Sequence, residues 1–350
     1  MSPARNSFAR LALLPALALL SHTSRAQATP AASPTVQASS TCTDLPHSDH
    51  PMAHLSNGAI NAVVFLPDKK TGYYRGPRFD WSGVVGCLSL NGHTFFGEWF
   101  SKYDPTGNDA ITGPVEEFRH PTSEIGYDDA APGGMFVKIG VGVLKRVDDR
   151  PYKFGNAYPI MDTGKWKTKV RKNSVTFQQE LHSSIGVSYI YEKVLTLDKH
   201  GNVLRLEHRL KNVGTKLIDT QVYDHDFFML DHKQTGPSMQ VRFPFTPVLD
   251  SPVDPTKAVI EDNAIKFIAP LERRGVQGYL TGYSTKVSDY DFTFEDKDLG
   301  IGVQQTSDSP INLSYFWSTP RTVCPEAYIK IHVAPGATQT WTINYRFFTK

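Results

Sequence analysis

Three stretches of this 350-residue chain set chemically capable side chains at strand-like spacing. In Val323-Cys-Pro-Glu-Ala-Tyr-Ile-Lys-Ile-His-Val333, alternation puts Ala327, Ile329, Ile331 and Val333 on one face and Glu326, Tyr328, Lys330 and His332 on the other. That polar face is either solvated surface or the floor of a groove. The groove reading expects Glu326, Tyr328 and Lys330 to line it, with Ile329 and Ile331 buried behind. In Tyr223-Asp-His-Asp-Phe-Phe228, His225 shares a face with Tyr223 and Phe227, while Asp224 and Asp226 point the other way. Imidazole is the side chain best suited to exchange protons near neutral pH, so His225 is either a general acid–base group or a histidine held in a polar loop. The third stretch, Tyr73-Tyr-Arg-Gly-Pro-Arg-Phe-Asp-Trp-Ser-Gly83, places Arg75 and Arg78 among aromatic rings. Guanidinium donors bind hydroxyls or carboxylates, and aromatic faces take the C–H side of a pyranose ring. Cation–π stacking inside a loop is the structural alternative.

The elements that must position these residues are strands. Val187-Ser-Tyr-Ile-Tyr-Glu-Lys-Val-Leu-Thr-Leu197 is β-branched and aromatic, and Asp198-Lys-His-Gly-Asn202 supplies turn residues. Val203–Leu210 then alternates strictly, with Leu204, Leu206 and Leu210 on one face, which predicts a hairpin. The last segment, Thr338–Phe347, alternates as cleanly through Gln339, Trp341, Ile343, Tyr345 and Phe347. No stretch sustains apolar residues at i, i+3, i+4 and i+7. The expectation is an all-β protein made of two large antiparallel sheets packed face to face.

The first residues point to export. Arg5 and Arg10 precede the apolar run Leu11–Leu20, and Ala26-Gln-Ala28 offers small residues at a signal-peptidase site. Ten apolar residues fall short of the roughly 20 that cross a bilayer, so residues 1–28 read as a cleaved leader and the product as periplasmic or secreted, without stable membrane insertion. The chain carries +2 overall, and residues 1–28 contain three arginines and no acid; removing them leaves −1. No basic stripe with interleaved aromatics is present, which argues against nucleic acid as a partner. Residues 29–45 have the Ala, Pro, Ser and Thr composition of a disordered linker, and 46–350 read as one domain. Cys42, Cys87 and Cys324 match no zinc pattern and permit one disulfide with one thiol left over; a Cys42 bridge would tack down the N-terminal arm.

The order of motifs resembles the galactose mutarotase-like superfamily, the fold of aldose 1-epimerases. Pro77-Arg-Phe-Asp-Trp-Ser-Gly83 with Leu90-Asn-Gly92 is similar to its early motif. Leu206-Glu-His-Arg-Leu-Lys-Asn-Val-Gly214 followed by His225-Asp-Phe-Phe228 is similar to its middle one. Cys324-Pro-Glu326, Pro335-Gly336 and Tyr345-Arg-Phe347 resemble its C-terminal one. The resemblance spans nearly all of residues 46–350 and implies a large antiparallel β-sandwich with a groove over one sheet, without metal or organic cofactor. It also implies that Glu326 takes the proton of an anomeric hydroxyl while His225 donates one to the ring oxygen. Arg78 or Arg75 would hold substrate hydroxyls, with Asp226, Glu117 and Tyr328 as further binding residues.

Two departures matter. Ser82 stands where anomer-interconverting members carry arginine, and Ile111-Thr-Gly-Pro114 stands where they carry Leu-His-Gly-Gly. One of two catalytic histidines is therefore missing by resemblance, and Glu116 and Glu117 are the nearby carboxylates that could replace it. The leading expectation is an exported aldose 1-epimerase-like enzyme acting on a mono-, oligo- or polysaccharide. A second is a polysaccharide lyase, with Arg75 or Arg78 neutralising a uronate and a Tyr or His as base. A third is a non-catalytic carbohydrate-binding envelope protein.

Overall fold

Alternation along the chain resolves into two large antiparallel sheets in the computed structural model, which describes residue 42 and residues 45–273 and 275–350. The expected leader and most of the expected linker lie outside the described residues. One sheet has ten strands and the other six; a four-stranded and a three-stranded sheet make up the rest. The only helical segment among the described residues is a single 3-10 turn, Val287–Asp289.

The predicted hairpin forms from Ser188–Leu197 and Val203–Asn212. Its second strand pairs in turn with the terminal strand Thr338–Thr349. The registers place Leu195, Leu206 and Ile343 side by side, all fully buried. This row faces Val222, Ile329 and Ile331 of the six-stranded sheet in one hydrophobic core. Because side chains alternate, burying one face of the six-stranded sheet leaves its other face open.

A polar layer interrupts the core. Glu116, on Val115–Phe118 of the smaller sheet, reaches Lys193 and His208 of the larger one, with Glu116 Oε1 2.7 Å from His208 Nε2. Nearby, the Tyr345 hydroxyl lies 2.8 Å from Asp226 and also meets Asp224. These contacts hold the two sheets in one lateral position, since an apolar interface alone lacks direction.

A disulfide joins Cys42 to Cys87, on the strand Val84–Leu90, as the N-terminal-arm reading anticipates. Cys324 is a free, fully buried thiol. No helix among the described residues is long and apolar enough to cross a membrane.

Candidate active site

The open face of the six-stranded sheet carries a cavity of about 400 Å³, within the range of small-molecule sites. Strand register explains its floor. Ile218–His225 pairs with Val323–Val333 up to Val222–Ile329, and a single bridge, Phe228–Val323, continues the same register. Between these points the ladder opens, and there His225 stands opposite Glu326. On the other side of Val323–Val333, Glu326 pairs with Tyr315 and Cys324 with Trp317. The next strand sets Tyr279 beside Tyr315 and Gln277 beside Trp317. His225, Glu326, Tyr315 and Tyr279 thus form one row across four strands. Phe227, Cys324, Trp317 and Gln277 form the neighbouring row.

His225 Nε2 lies 3.5 Å from Glu326 Oε1, and both side chains are 5% exposed. The imidazole stacks on Phe227 at 3.8 Å and meets the edges of Trp317 and Phe79. Its Nδ1 has no protein partner among the described residues. Phe227 takes a left-handed φ of 46°, a strain of ~1–3 kcal/mol for a non-glycine residue. That turn points its N–H at Cys324 Sγ, 3.2 Å away, while the ring stays on the imidazole. The Tyr328 hydroxyl lies 3.2 Å from Glu326 Oε2 and its ring stacks on Tyr223 at 4.2 Å.

Beneath and beside this pair runs a layer of charge. Arg78 donates from Nε to Glu117 at 2.9 Å, from Nη1 to Asp109, and from Nη2 to the Tyr223 hydroxyl at 3.3 Å. A guanidinium has five N–H donors, so two of Arg78's have no protein partner among the described residues. Glu117 also receives Lys138 at 3.2 Å and the Tyr223 hydroxyl at 2.5 Å. Burial by itself would raise the Glu117 carboxyl, but Arg78, Lys138 and Arg119 overrule it and hold Glu117 well below the usual range. The exposed ring of Phe154 lies between two cations, 4.5 Å from the Arg78 guanidinium and 4.7 Å from that of Arg119.

Burial dominates the protonation of the pair. Desolvation, with Glu117 adding repulsion, pushes Glu326 up to about 8, against Arg78, Arg119 and the Tyr328 hydrogen bond. Desolvation together with Arg78 and Arg119 drives His225 well below its ordinary value. At neutral pH the pair therefore holds one proton, resting on Glu326, next to a neutral imidazole. The resemblance implies the opposite resting state; removing both groups from water favours the two neutral forms over the ion pair.

The residues expected from the sequence separate into groups. His225, Glu326, Tyr328 and Arg78 all line the cavity. Glu117 lies under Arg78 as its counter-ion and is fully buried. Glu116 projects through the opposite face of its strand into the core, so neither carboxylate stands in the cavity wall. Asp226 is turned into the core by the same alternation, against Tyr345. Arg75 is also outside the cavity wall: the Tyr74 hydroxyl accepts the N–H groups of Arg78 and Phe79, and the resulting irregular loop directs Arg75 Nη1 to the Gly72 carbonyl at 2.8 Å. Ile329 and Ile331 are buried as the register requires. Lys330 and His332 continue past the cavity into solvent, where His332 lies 3.3 Å from Asp219.

Trp99, Asp109, Arg119, Phe154, Tyr315 and Trp317 also line the wall without having been singled out from the sequence, as do Gln277 and Tyr279. Two signals were available. Arg119 follows Glu117 by two positions at the end of a strand, and Leu313-Ser-Tyr-Phe-Trp-Ser318 alternates with Tyr315 and Trp317 on one face. Trp99, Asp109 and Phe154 arrive on irregular segments, where no periodicity marks a direction. Among the described residues no group of three or more His, Cys, Asp or Glu side chains is placed to hold a metal ion.

No protein-family model and no curated protein matches the sequence. Solved structures do match the fold. An aldose 1-epimerase candidate from Escherichia coli K12 superposes with a TM-score of 0.55 at 14% identity, covering 85% of this chain and 99% of its own. A galactose mutarotase-like protein from Clostridium acetobutylicum gives 0.53 at 13% identity, covering 88% and 98%. A galactose mutarotase related enzyme from Lactobacillus acidophilus gives 0.52 at 13% identity, covering 85% and 97%. With two face-to-face antiparallel sheets and a cavity on the open face of the smaller one, these likenesses identify the chain's architecture as the galactose mutarotase-type β-sandwich fold.

Proposed function

We propose that the protein is an exported aldose 1-epimerase-like enzyme that binds a sugar over His225 and Glu326 and interconverts its anomers. The observation that carries this reading is the pair itself: the Glu326 carboxyl and the His225 imidazole 3.5 Å apart on the floor of an aromatic cavity. The ring oxygen and the anomeric oxygen sit on one carbon, so two groups this close can address both. His225 Nε2 takes the proton of the anomeric hydroxyl while Glu326 delivers its proton to the ring oxygen, and the C–O bond of the ring breaks to give the open aldehyde. Rotation about the adjacent C–C bond and return of both protons closes the ring to the other anomer. Arg78, with two uncommitted donors, and Arg119 bind sugar hydroxyls, and Trp99 and Trp317 offer faces to the C–H side of the ring.

Export is supported by the leader-like residues 1–28 and by a disulfide at Cys42, which suits an oxidising compartment. Mass spectrometry of the secreted or periplasmic fraction is expected to find an N-terminus near Thr29; intact Met1 in the membrane fraction contradicts it.

The catalytic reading is tested by Glu326→Gln and His225→Ala, with anomer exchange followed by NMR. Each is expected to lower turnover by about 10²-fold or more while sugar binding persists, because a general acid or base contributes about 10²–10⁴. Full activity in both variants would place the chemistry elsewhere. Binding without turnover in the unaltered protein would identify a carbohydrate-binding module.

A further inference from the structure

The row that contains the pair does not stop at one sugar's width. Glu326, Tyr315 and Tyr279 are direct cross-strand neighbours on three successive strands, and His225 stands in register opposite Glu326 on a fourth, where the ladder opens. Three strand spacings of about 4.8 Å make a track of about 14 Å, longer than a single pyranose ring. Tyr279, at the far end, is 45% exposed although it lines the same cavity as Glu326. Its ring meets that of Tyr315 edge to face at 5.1 Å. Gln277, two residues earlier on the same strand face, adds an exposed amide beside these rings.

We infer that the site takes a reducing oligosaccharide, with the reducing-end ring over His225 and Glu326 and the next ring in a second subsite on Tyr315 and Tyr279. The placement of the first ring rests on the epimerase reading above. Ring opening requires a free anomeric hydroxyl at the pair, so the rest of the sugar chain must leave through a non-anomeric hydroxyl. The cross-strand row directs it toward Tyr315 and Tyr279. A large aromatic side chain left open to solvent at the end of such a track is what sugar stacking needs, since a pyranose buries its C–H face against a ring plane and keeps its hydroxyls in water.

The test compares glucose with cellobiose, lactose and maltose, all of which expose a reducing glucose. Anomer exchange by NMR gives kcat/KM for the unaltered protein, Tyr279→Ala and Tyr279→Phe. At least one disaccharide is expected to exceed glucose by about 3–10-fold, the worth of one aromatic contact. Tyr279→Ala should remove that ratio and Tyr279→Phe should retain it. Saturation-transfer NMR with the methyl glycoside of that disaccharide, whose blocked anomeric carbon cannot be turned over, should show contacts to both rings that Tyr279→Ala weakens at the second. Turnover with no disaccharide advantage, or an advantage that survives Tyr279→Ala, overturns the second subsite and leaves the epimerase reading standing. Two-ring contacts without turnover of any free sugar keep the subsite and remove the epimerase reading. No binding of any sugar overturns both.

Discussion

Glu326 and His225 differ from ordinary surface groups mainly because both have lost their water. For a carboxyl that loss favours the protonated form, and for an imidazole it favours the neutral form. The pair therefore behaves as a one-proton unit, and activity should follow that proton. As pH rises through about 8, Glu326 loses it, the acid is gone, and kcat should fall toward higher pH. Toward lower pH, activity should persist below the ordinary histidine range, because His225 stays neutral there. A pH–rate profile over pH 5–10 checks this. A limb falling on the acid side near 6.5 would mean that His225 titrates as an exposed imidazole. Arg78 illustrates a second residue-scale lesson: three of its donors are spent on Glu117, Asp109 and Tyr223, which fixes the planar fork before any ligand arrives.

At the scale of elements, the site exists because one strand pairing opens and closes without losing register. Three residues beyond Val222 and Ile329 the His225 and Glu326 side chains face each other, and by Phe228–Val323 the pairing resumes. A one-residue slip would bury Lys330 and turn Glu326 into the core. The segment before Val115–Phe118 guards this geometry. A Cβ on Gly113 would stand 2.4 Å from the Asp226 carbonyl and 2.5 Å from that of His225. These are backbone atoms that cannot swing aside as a side-chain tip would. Gly113→Ala is expected to destabilise the fold by about 1–3 kcal/mol and to lower turnover more than it weakens sugar binding, because it shifts the strand end that carries His225. Denaturant unfolding and single-turnover kinetics separate the two effects. Unchanged stability would show that the loop relaxes freely.

For the molecule as a whole, the polar layer between the sheets sets how stability responds to pH. Burial raises Asp224 to about 8, Asp80 to about 6 and Asp226 well above its ordinary value, alongside Glu326. A tyrosine hydroxyl has one proton, so Tyr345 can donate to only one of Asp224 and Asp226. The other carboxyl must donate in return. Through pH 6.5–8 the folded state thus binds more protons than the unfolded one, and stability falls as pH rises. Glu116 and Glu117, both lowered, act in the other direction: they stabilise above their ordinary values and lose that contribution in acid. Thermal melts should show Tm declining from pH 6.5 to 8.5, and Asp226→Asn should flatten the decline. A Tm independent of pH in this window would mean that these carboxyls are ionised in the folded protein.

Much of this was already legible along the chain. Alternation in Val203–Leu210, in Thr338–Phe347 and around Glu326 is a local property, set by the pleat of each strand, and it predicted which residues face the core. The same rule placed His225 with Tyr223 and Phe227 and separated Asp224 and Asp226 from them. Arg75 and Arg78, three residues apart in an irregular loop, were indistinguishable in the sequence, because no period governs where such side chains point. Glu116 and Glu117 were adjacent carboxylates with no means of telling catalytic group from counter-ion until Lys193, His208 and Arg78 closed around them. The protonation of Glu326 and His225 also belongs to tertiary structure alone. It comes from how completely four strands and several loops exclude water from two side chains about one hundred residues apart in sequence, a quantity no local stretch of sequence contains.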